Sequence, residues 1–576
     1  MSTADCTFVP ADLDAARWER IEPLVGSLLS RPVASAAELE RWLIDRSELD
    51  AACSEARANL YITMTCRTDD PGASGAWTAY LDEVPPRLKP ASFELDKRQV
   101  ALSKSFPLPA GRYGVLERDT RVEVELFREA NVPIETELAK LDQKYDEICG
   151  AMTVEFQGQV RTLPQMARFQ QEHDRAVREG AWRAVAERRL KEREAVEAIF
   201  DEMVEKRHRV ALNAGFANFR DWSFKAKKRF DYTPAMCFSF HEAVEKHVVP
   251  FNRRCDERRR AALKLEGLRP WDLSVDEHHR PPLRPFEGAQ QLVERTRRVY
   301  DRLDPELARM FRALGDNQSE GASTGASLDL ESRKGKAAGG YQYMRDRSRR
   351  PFIFMNAAGL HADVHTMVHE AGHMFHSELC KHDPLVAYRH SPIEFAEVAS
   401  MSMELLTMPE WDEFYPDPSH LARAKREQLE GSIGILAWIA QIDAFQHWIY
   451  ENPGHGRDER RAQWLRLDAR FGRAVDWSGL ESIRGHVWQR QSHLFGVPFY
   501  YIEYGIAELG ALGLWLHSLQ HGRPAALALY RKALSLGGSR PLPELFAAAG
   551  QPFDFGPARV AEIVGAAEAE LAKLPA

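Results

Sequence analysis

The segment His369-Glu370-Ala371-Gly372-His373 holds the residue types that metal-assisted hydrolysis requires. On a helix, residues four apart differ by about 40° around the axis, so both imidazoles can reach one ion. Neutral imidazole is a good ligand for Zn²⁺, and two histidines with one carboxylate leave a fourth position for water. Glu370 is placed to take a proton from that water. The segment therefore predicts one zinc ion bound by His369 and His373, with Glu370 as general base.

The alternative is a histidine pair that caps the core or faces solvent without any metal. The flanking residues favour the metal, because Val364, Val368 and Phe375 make the rest of this helix apolar and predict that it is buried. Two imidazoles and a carboxylate that face inward from a buried helix need partners. A metal ion would serve all of them at once.

A third ligand is expected from a second helix that begins near Ser391. Ser391 fits the N-cap, Pro392 fits the first helical position and Glu394 completes a capping box, which gives Glu394 a structural role. Glu397 lies one turn deeper, among small and apolar residues. We therefore expect Glu397 to be the third metal ligand.

Two further residues lie on the same helix faces as the expected ligands. Glu404 is seven residues beyond Glu397 and shares its face, so we expect it to contact a ligand rather than the metal. The alternative for Glu404 is a solvated glutamate. His376 lies near the metal face of the first helix, where a supporting or core position is favoured over a ligand.

Helical periodicity predicts the elements that must position these residues. Three short β-strands are expected ahead of the zinc helix, at residues 327–330, 340–343 and 351–355, after a loop at 315–327 that is rich in glycine and serine. The class is therefore mainly α with a small sheet. Three regions are predicted: an N-terminal helical region (1–110), a helical lobe with a small hairpin (111–195) and a catalytic domain (196–576).

Three blocks of the sequence match a known pattern. The first runs from Leu328 to Asn356 and contains Gly339-Gly340-Tyr341. The second joins His369–His376 to Phe395–Ser400, and the third runs from His493 to Gly505. Together these blocks resemble the thimet oligopeptidase and oligoendopeptidase family of zinc metallopeptidases, most closely its bacterial oligoendopeptidase branch.

The resemblance implies a mainly α, zincin-type metallopeptidase with a small sheet beside the active-site helix and a deep channel for short peptides. It implies a single Zn²⁺ bound by His369, His373 and Glu397, with Glu370 as general base. It also implies that residues Gly339, Gly340 and Tyr341 offer a strand edge to the substrate backbone, since glycine lets another chain approach closely.

The third block implies the groups that stabilise the oxyanion. By the family pattern, His493 and Tyr504 are the first candidates, Tyr501 is next, and Tyr500 follows as a residue expected to contact substrate. The chain departs from the family at one point, because Val497 or Pro498 stands near the place of an upstream tyrosine. A nearby basic run that includes Arg345, Arg349 and Arg350 is expected at the surface.

Two other functions remain open at this stage. One is a different zinc hydrolase on a similar helix, such as an aminopeptidase. The other is a non-catalytic peptide-binding protein in which the metal is structural.

The composition excludes several other classes. A net charge of −8 over 576 residues argues against a protein that coats nucleic acid. The seven cysteines are dispersed and form no CxxC pair, so neither a disulfide framework nor a thiolate zinc site is predicted. The sequence shows no secretory signal and no apolar stretch long enough for a membrane span, which makes the cytoplasm the expected compartment. It carries no signal for an oligomeric state.

Overall fold

The computed structural model describes residues 8–317 and 326–575 of the chain. Most of the loop predicted at 315–327, and the first seven residues of the segment searched for a secretory signal, lie outside the described residues. Helices dominate the described chain, and two small sheets accompany them. Within the described residues, no helix combines the length and apolar character that crossing a bilayer requires.

Six helices make up the N-terminal part of the chain. They are α1 (Trp18–Ser30), α2 (Ala36–Cys66), α3 (Pro71–Glu83), α4 (Pro85–Ser105), α5 (Ala110–Leu126) and α6 (Asn131–Gly150). The caps follow ordinary helix chemistry, since Ser35 accepts a bond from the backbone N–H of Glu38, and Asp70 does so for Gly72. The apolar cluster of α1 to α5 is joined by Leu385 and Tyr388 from the catalytic part. The boundaries of the three regions stay a prediction.

A two-stranded hairpin follows, as predicted, with β1 (Thr153–Phe156) antiparallel to β2 (Gln159–Thr162). The next seven helices are α7 (Arg175–Lys191), α8 (Arg193–Asn213), α9 (Phe219–Ala226), α10 (Pro234–Ala243), α11 (Val249–Ala262), α12 (Gly288–Leu303) and α13 (Pro305–Arg312). A single π-helical turn, Val244–Val248, connects α10 to α11.

The second sheet lies against the helix that carries the metal motif. Its strands are β3 (Leu328–Glu331), β4 (Tyr341–Arg345) and β5 (Arg350–Ala357), in the order β3-β5-β4. β5 pairs in parallel with β3 and antiparallel with β4, so β4 is an edge strand. The segment between β3 and β4 is fixed by a buried ion pair, in which Nζ of Lys336 lies 2.9 Å from a carboxylate oxygen of Asp329.

The remaining ten helices complete the body. They are α14 (His361–Cys380), α15 (Ile393–Leu406), α16 (Pro418–Glu451), α17 (Arg457–Phe471), α18 (Glu481–Arg484), α19 (His493–Gly496), α20 (Tyr501–His521), α21 (Arg523–Leu534), α22 (Leu542–Ala548) and α23 (Pro557–Leu571). One large apolar core includes residues from α14, α15, α16 and α20.

The helices α14 and α15 approach each other closely enough for their backbones to meet. A Cβ atom on Gly372 would lie 2.4 Å from the carbonyl oxygen of Ala399 and 2.5 Å from Cα of Ser400. Glycine is therefore required at this point, because two backbones meet where any side chain would clash. On the far side of α15, Gly510 of α20 plays a similar part against Val398, where an added Cβ would come within 2.8 Å.

The Gly372→Ala substitution should therefore destabilise the protein, by about 1–3 kcal/mol, since backbone atoms cannot rotate away from the new methyl group. The matched control is Gly431→Ala in α16, where an added Cβ meets nothing within 4 Å. That variant should be unchanged or slightly stabilised, as alanine favours the helix. Midpoints of urea unfolding measure both, and equal midpoints for the two variants would contradict this account of the helix contact.

Candidate active site

Two adjacent helices bring the three predicted metal ligands together. Nε2 of His369 and Nε2 of His373, both on α14, each lie 3.5 Å from Oε2 of Glu397 on α15. All three donor atoms lie within 4.8 Å of one another. The contact at Gly372 makes this possible, because it brings α15 within reach of the two imidazoles.

This donor set fits a zinc ion. Ligand atoms about 2.1 Å from a tetrahedral ion are about 3.4 Å apart, which is close to the separations found between the imidazoles and Glu397. Three further buried carboxylates, Glu370, Glu404 and Glu508, surround the donors. A cation would stabilise those carboxylates of this buried cluster that are ionised.

Glu404 orients the first imidazole. Its Oε1 lies 2.6 Å from Nδ1 of His369, so the proton on Nδ1 is directed to the carboxylate and Nε2 is left to face Glu397. Burial by itself would lower the pKa of His369, but the hydrogen bond and charge of Glu404, with the charges of Glu397 and Glu370, raise it to about 9. The geometry is what the predicted supporting role of Glu404 requires.

Glu404 also contacts two residues that were not predicted from the sequence. Nε2 of His365 lies 2.7 Å from its Oε2, and Nε2 of Gln428 donates to the same oxygen over 3.1 Å. Burial would raise the pKa of Glu404, but His365 and His369 lower it to about 2. His365 precedes His369 by four residues, and this spacing was a signal in the sequence. Gln428 is distant in the chain and gave none.

Glu508 is a further carboxylate missed by sequence reasoning. It lies on α20, is 3% exposed, and its Oε1 has no hydrogen-bond partner among the described residues. Burial, followed by the charge of Glu404, raises its pKa to about 8. Glu508 is therefore neutral near pH 7 and adds a protonated carboxyl beside the donor cluster.

The side chain of Glu370 extends from α14 toward the edge strand. Its Oε1 is 3.7 Å from the position that a Cβ on Gly340 would occupy, and the backbone N–H of Gln342 stabilises its ionised form. Burial raises the pKa of Glu370 to about 7, with Glu397 adding to the effect. A carboxyl with this pKa can both accept and return a proton near neutral pH.

The edge strand directs its tyrosines toward α2, while the side chain of Gln342 lies 3.5 Å from Ser377 of α14. The hydroxyl of Tyr341 lies 2.6 Å from Oγ1 of Thr65 in α2, and its ring stacks on Phe354. Gly339 has a φ of +99°, a conformation that favours glycine, and its carbonyl accepts a bond from Asn356. Tyr341 is therefore anchored away from the α14 side.

The third predicted block forms a broken helix. α19 ends at Gly496 and α20 begins at Tyr501, so a short segment that contains Pro498 separates the two helices. Phe499 in the break has a φ of +62°. Its backbone N–H donates to Gln446 over 2.5 Å, and its carbonyl accepts from buried Arg229. These two contacts hold a conformation that is costly for a residue with a side chain.

The break brings His493 close to three tyrosines. Its ring centroid lies 5.8 Å from that of Tyr500, 5.1 Å from Tyr501 and 6.0 Å from Tyr504. After burial, the charge of Glu397 contributes to the raised pKa of both Tyr500 and Tyr504. The raised pKa of Tyr501 has no such contribution. The charge of Glu397 therefore acts on Tyr500 and Tyr504, and the choice of the tyrosine that contacts the oxyanion stays a prediction.

A hydrogen-bonded chain sets the tautomer of His493. The indole N–H of Trp438 donates to Oε1 of Gln491 over 3.0 Å, and an indole is only a donor, so the amide orientation of Gln491 is defined. Nε2 of Gln491 must then donate to Nδ1 of His493, 2.7 Å away. Burial lowers the pKa of His493, which keeps the ring neutral with its proton on Nε2. Gln491 was not anticipated from the sequence.

The structure corrects the predicted start of α15. The helix begins at Ile393, its N-cap is Pro392, and no side chain caps it. The hydroxyl of Ser391 instead lies 3.2 Å from Nε2 of His376, a buried histidine that stands away from the three donors. Glu394 forms no capping box, because it accepts a bond from the hydroxyl of Tyr232.

Arg345 was expected at the surface, but the structure places it in the interior. It is 4% exposed, and its Nε donates to Asn59 of α2 over 2.9 Å. An arginine whose chain lies under α2 serves the packing of the sheet against the N-terminal helices.

Comparison with known proteins identifies the family of the chain. The model of Peptidase family M3 matches residues 168–558. The chain belongs to peptidase family M3. This membership confirms the resemblance to the oligoendopeptidases drawn from the three sequence blocks.

Similar proteins give the same picture for sequence and fold. The chain is 23% identical over 298 residues to group B oligopeptidase PepB of Streptococcus agalactiae, an alignment that covers 51% of this chain and 47% of PepB. The alignment thus spans about half the length of that relative. A solved structure of PZ peptidase A with an inhibitor has a TM-score of 0.85 and 27% identity, and covers 98% of this chain and 99% of its own.

A second solved structure, of a protein provisionally named oligoendopeptidase F, has a TM-score of 0.83 and 27% identity. It covers 100% of this chain and 99% of its own. The expected fold, mainly α and of the zincin type with a small sheet, is confirmed.

Proposed function

We propose that the chain is a zinc-dependent endopeptidase that hydrolyses internal bonds of short peptides. The proposal depends on one observation, that the donor atoms of His369, His373 and Glu397 converge on one point. Glu370 lies on α14 between the two histidines. Membership of family M3 supports peptide hydrolysis, and the fit of the donor set supports zinc.

His369, His373 and Glu397 would hold a single zinc ion, which when bound would polarise the scissile carbonyl and lower the pKa of the attacking water. Glu370 would accept the proton of that water and return it to the leaving amine. Glu404 would keep His369 in the ligating tautomer.

The remaining residues would orient the substrate and stabilise charge. The backbone of Gly339 and Gly340, which lead into β4, and of Tyr341 at its start would pair with an extended peptide. Nε2–H of His493 and the hydroxyl of Tyr504 would donate to the oxyanion, a contact commonly worth about 3 kcal/mol. Tyr501 would be the next candidate to donate to the oxyanion, and Tyr500 would contact the substrate. A deep channel that restricts access to short peptides is part of the proposal.

Glu370→Gln should leave the metal content unchanged and lower kcat by at least about 1,000-fold, because the amide cannot accept a proton. Bound metal and the rate of peptide cleavage are the two measurements. The control is Glu378→Gln, two turns further along α14, where the carboxylate pairs with Lys381. Cleavage by the Glu370 variant at a rate near that of the control would refute the general-base role.

Gln491→Leu should lower kcat roughly 10-fold, the equivalent of one hydrogen bond of about 1.4 kcal/mol, since His493 would no longer be held with its proton on Nε2. The effect should be small in a His493→Ala background, because both changes remove one contact. Additive losses in this double-mutant cycle would show that Gln491 acts in some other way.

Peptides with blocked N-termini distinguish an endopeptidase from an aminopeptidase. An endopeptidase cleaves inside them, whereas an aminopeptidase requires a free amine. Mass-spectrometric mapping of a library that contains each peptide with a blocked and with a free N-terminus should show internal cuts in both forms, and a chelator should abolish these cuts and added zinc restore them. Cuts confined to free N-termini would favour the aminopeptidase, and binding without any cleavage would favour a peptide-binding protein with a structural metal.

A further inference from the structure

A second cluster of potential metal donors lies between α10 and α16, apart from the catalytic site. Each helix contributes two donors spaced one turn apart, Cys237 and His241 on α10, and Asp443 and His447 on α16. All four side chains are buried, with at most 4% exposed. Side chains at i and i+4 share a helix face, so the two pairs face each other across the helix contact.

Three of these donors form a compact group. Sγ of Cys237, a carboxylate oxygen of Asp443 and a ring nitrogen of His447 lie within 4.8 Å of one another. The same limit encloses the donors of His369, His373 and Glu397. Within the described residues, these are the groups whose donors meet that limit.

Within the described residues, several donor atoms of this cluster have no protein partner, although Oδ2 of Asp443 is paired with His241. Among the described residues, Oδ1 of Asp443 and both ring nitrogens of His447 have no hydrogen-bond partner. Nε2 of His447 lies 3.4 Å from Oδ2 of Asp443, but its alignment is too poor for a hydrogen bond. The rings of Phe224, Phe238 and Phe499, with centroids 4.9 to 5.9 Å from that of His447, offer it no acceptor.

Unpaired polar atoms of this kind are rare in protein interiors, because burial removes them from water without compensation. A divalent cation would resolve the imbalance. One thiolate, one carboxylate and one neutral imidazole carry two negative charges, which neutralise the ion in a site without water access. Thiolate with imidazole favours a borderline transition metal over calcium or magnesium.

We propose that Cys237, Asp443 and His447 bind a structural transition-metal ion of the Zn²⁺ type. His241 supports the site, since its Nε2 lies 2.8 Å from Oδ2 of Asp443 and orients that carboxylate. The ion links α10 to α16. The thiol proton is released when the ion binds.

The position of the site indicates which part of the structure the ion would stabilise. Gln446, beside His447 on α16, accepts the backbone N–H of Phe499, and the ring of His447 packs on Phe499. Phe499 is the residue of positive φ in the break that presents His493 and Tyr504. A metal that fixes α16 against α10 therefore supports the backbone behind these side chains. These donors form C-x₃-H and D-x₃-H pairs on separate helices, so the absence of a CxxC pair, which argued against a thiolate site, does not bear on them.

Cobalt(II) provides a test that is specific to this site. Only a cysteine ligand gives a thiolate-to-cobalt charge-transfer band in the near ultraviolet, and the proposed catalytic ligands include no cysteine. The full chain is produced in cobalt-supplemented minimal medium, so that the buried site is filled during folding. The wild-type protein should show the band, Cys237→Ser should lose it completely, and Cys255→Ser, which changes a half-buried cysteine on α11, should retain it.

Absence of the band in the wild type, its persistence in Cys237→Ser, or its loss in Cys255→Ser would overturn the proposal. A second measurement does not depend on how well the Cys237 variant folds. In a His369→Ala/His373→Ala variant, which removes two proposed catalytic ligands, a single equivalent of cobalt and the charge-transfer band should remain. A metal-free double variant would show that the buried cluster is only a polar helix contact. Since catalysis is not measured, this result is independent of the proposed function.

Discussion

The contact between α14 and α15 at Gly372 is the constraint on which the site depends. Donors from two helices converge only if their axes lie close enough for short side chains to meet. The helices reach that distance because Gly372 places the backbone of one against the backbone of the other at Ala399 and Ser400. Nε2 of His369 and of His373 then lie at equal distances of 3.5 Å from Glu397. Gly510 extends the same principle to α20, which carries Tyr504 and Glu508.

Burial of many carboxylates in one place sets the electrostatics around that contact. Glu397, Glu404, Glu370 and Glu508 would repel one another in a medium of low dielectric if all were ionised. Two features reduce this repulsion. His365 and His369 both contact the carboxylate of Glu404, and the raised pKa of Glu508 keeps that carboxyl protonated near neutral pH. The cluster thus combines strong acceptors with proton carriers, a combination that suits hydrolysis.

The sequence predicted the parts of this arrangement that follow from local spacing. The His369–His373 pair, the three strands and the break before Tyr501 can be read from residue types a few positions apart. Interactions between distant segments could not be read in this way. Glu394 has the spacing of a capping residue, but it instead accepts a hydrogen bond from Tyr232, 162 residues earlier in the chain. Gln491 orients His493 only because the fold brings Trp438 beside it.

The edge strand β4 has a consequence for how the protein avoids self-association. An open edge is normally a hazard, because it can pair with an edge of another copy and begin aggregation. β4 is only five residues long, and each of them is half-buried or buried between α2 and α14. An added Cβ on neighbouring Gly340 would already lie 3.1 Å from Thr366 of α14. A strand this short, packed between two helices, leaves few free backbone groups at its edge, so it cannot template a longer sheet with a second copy of the chain.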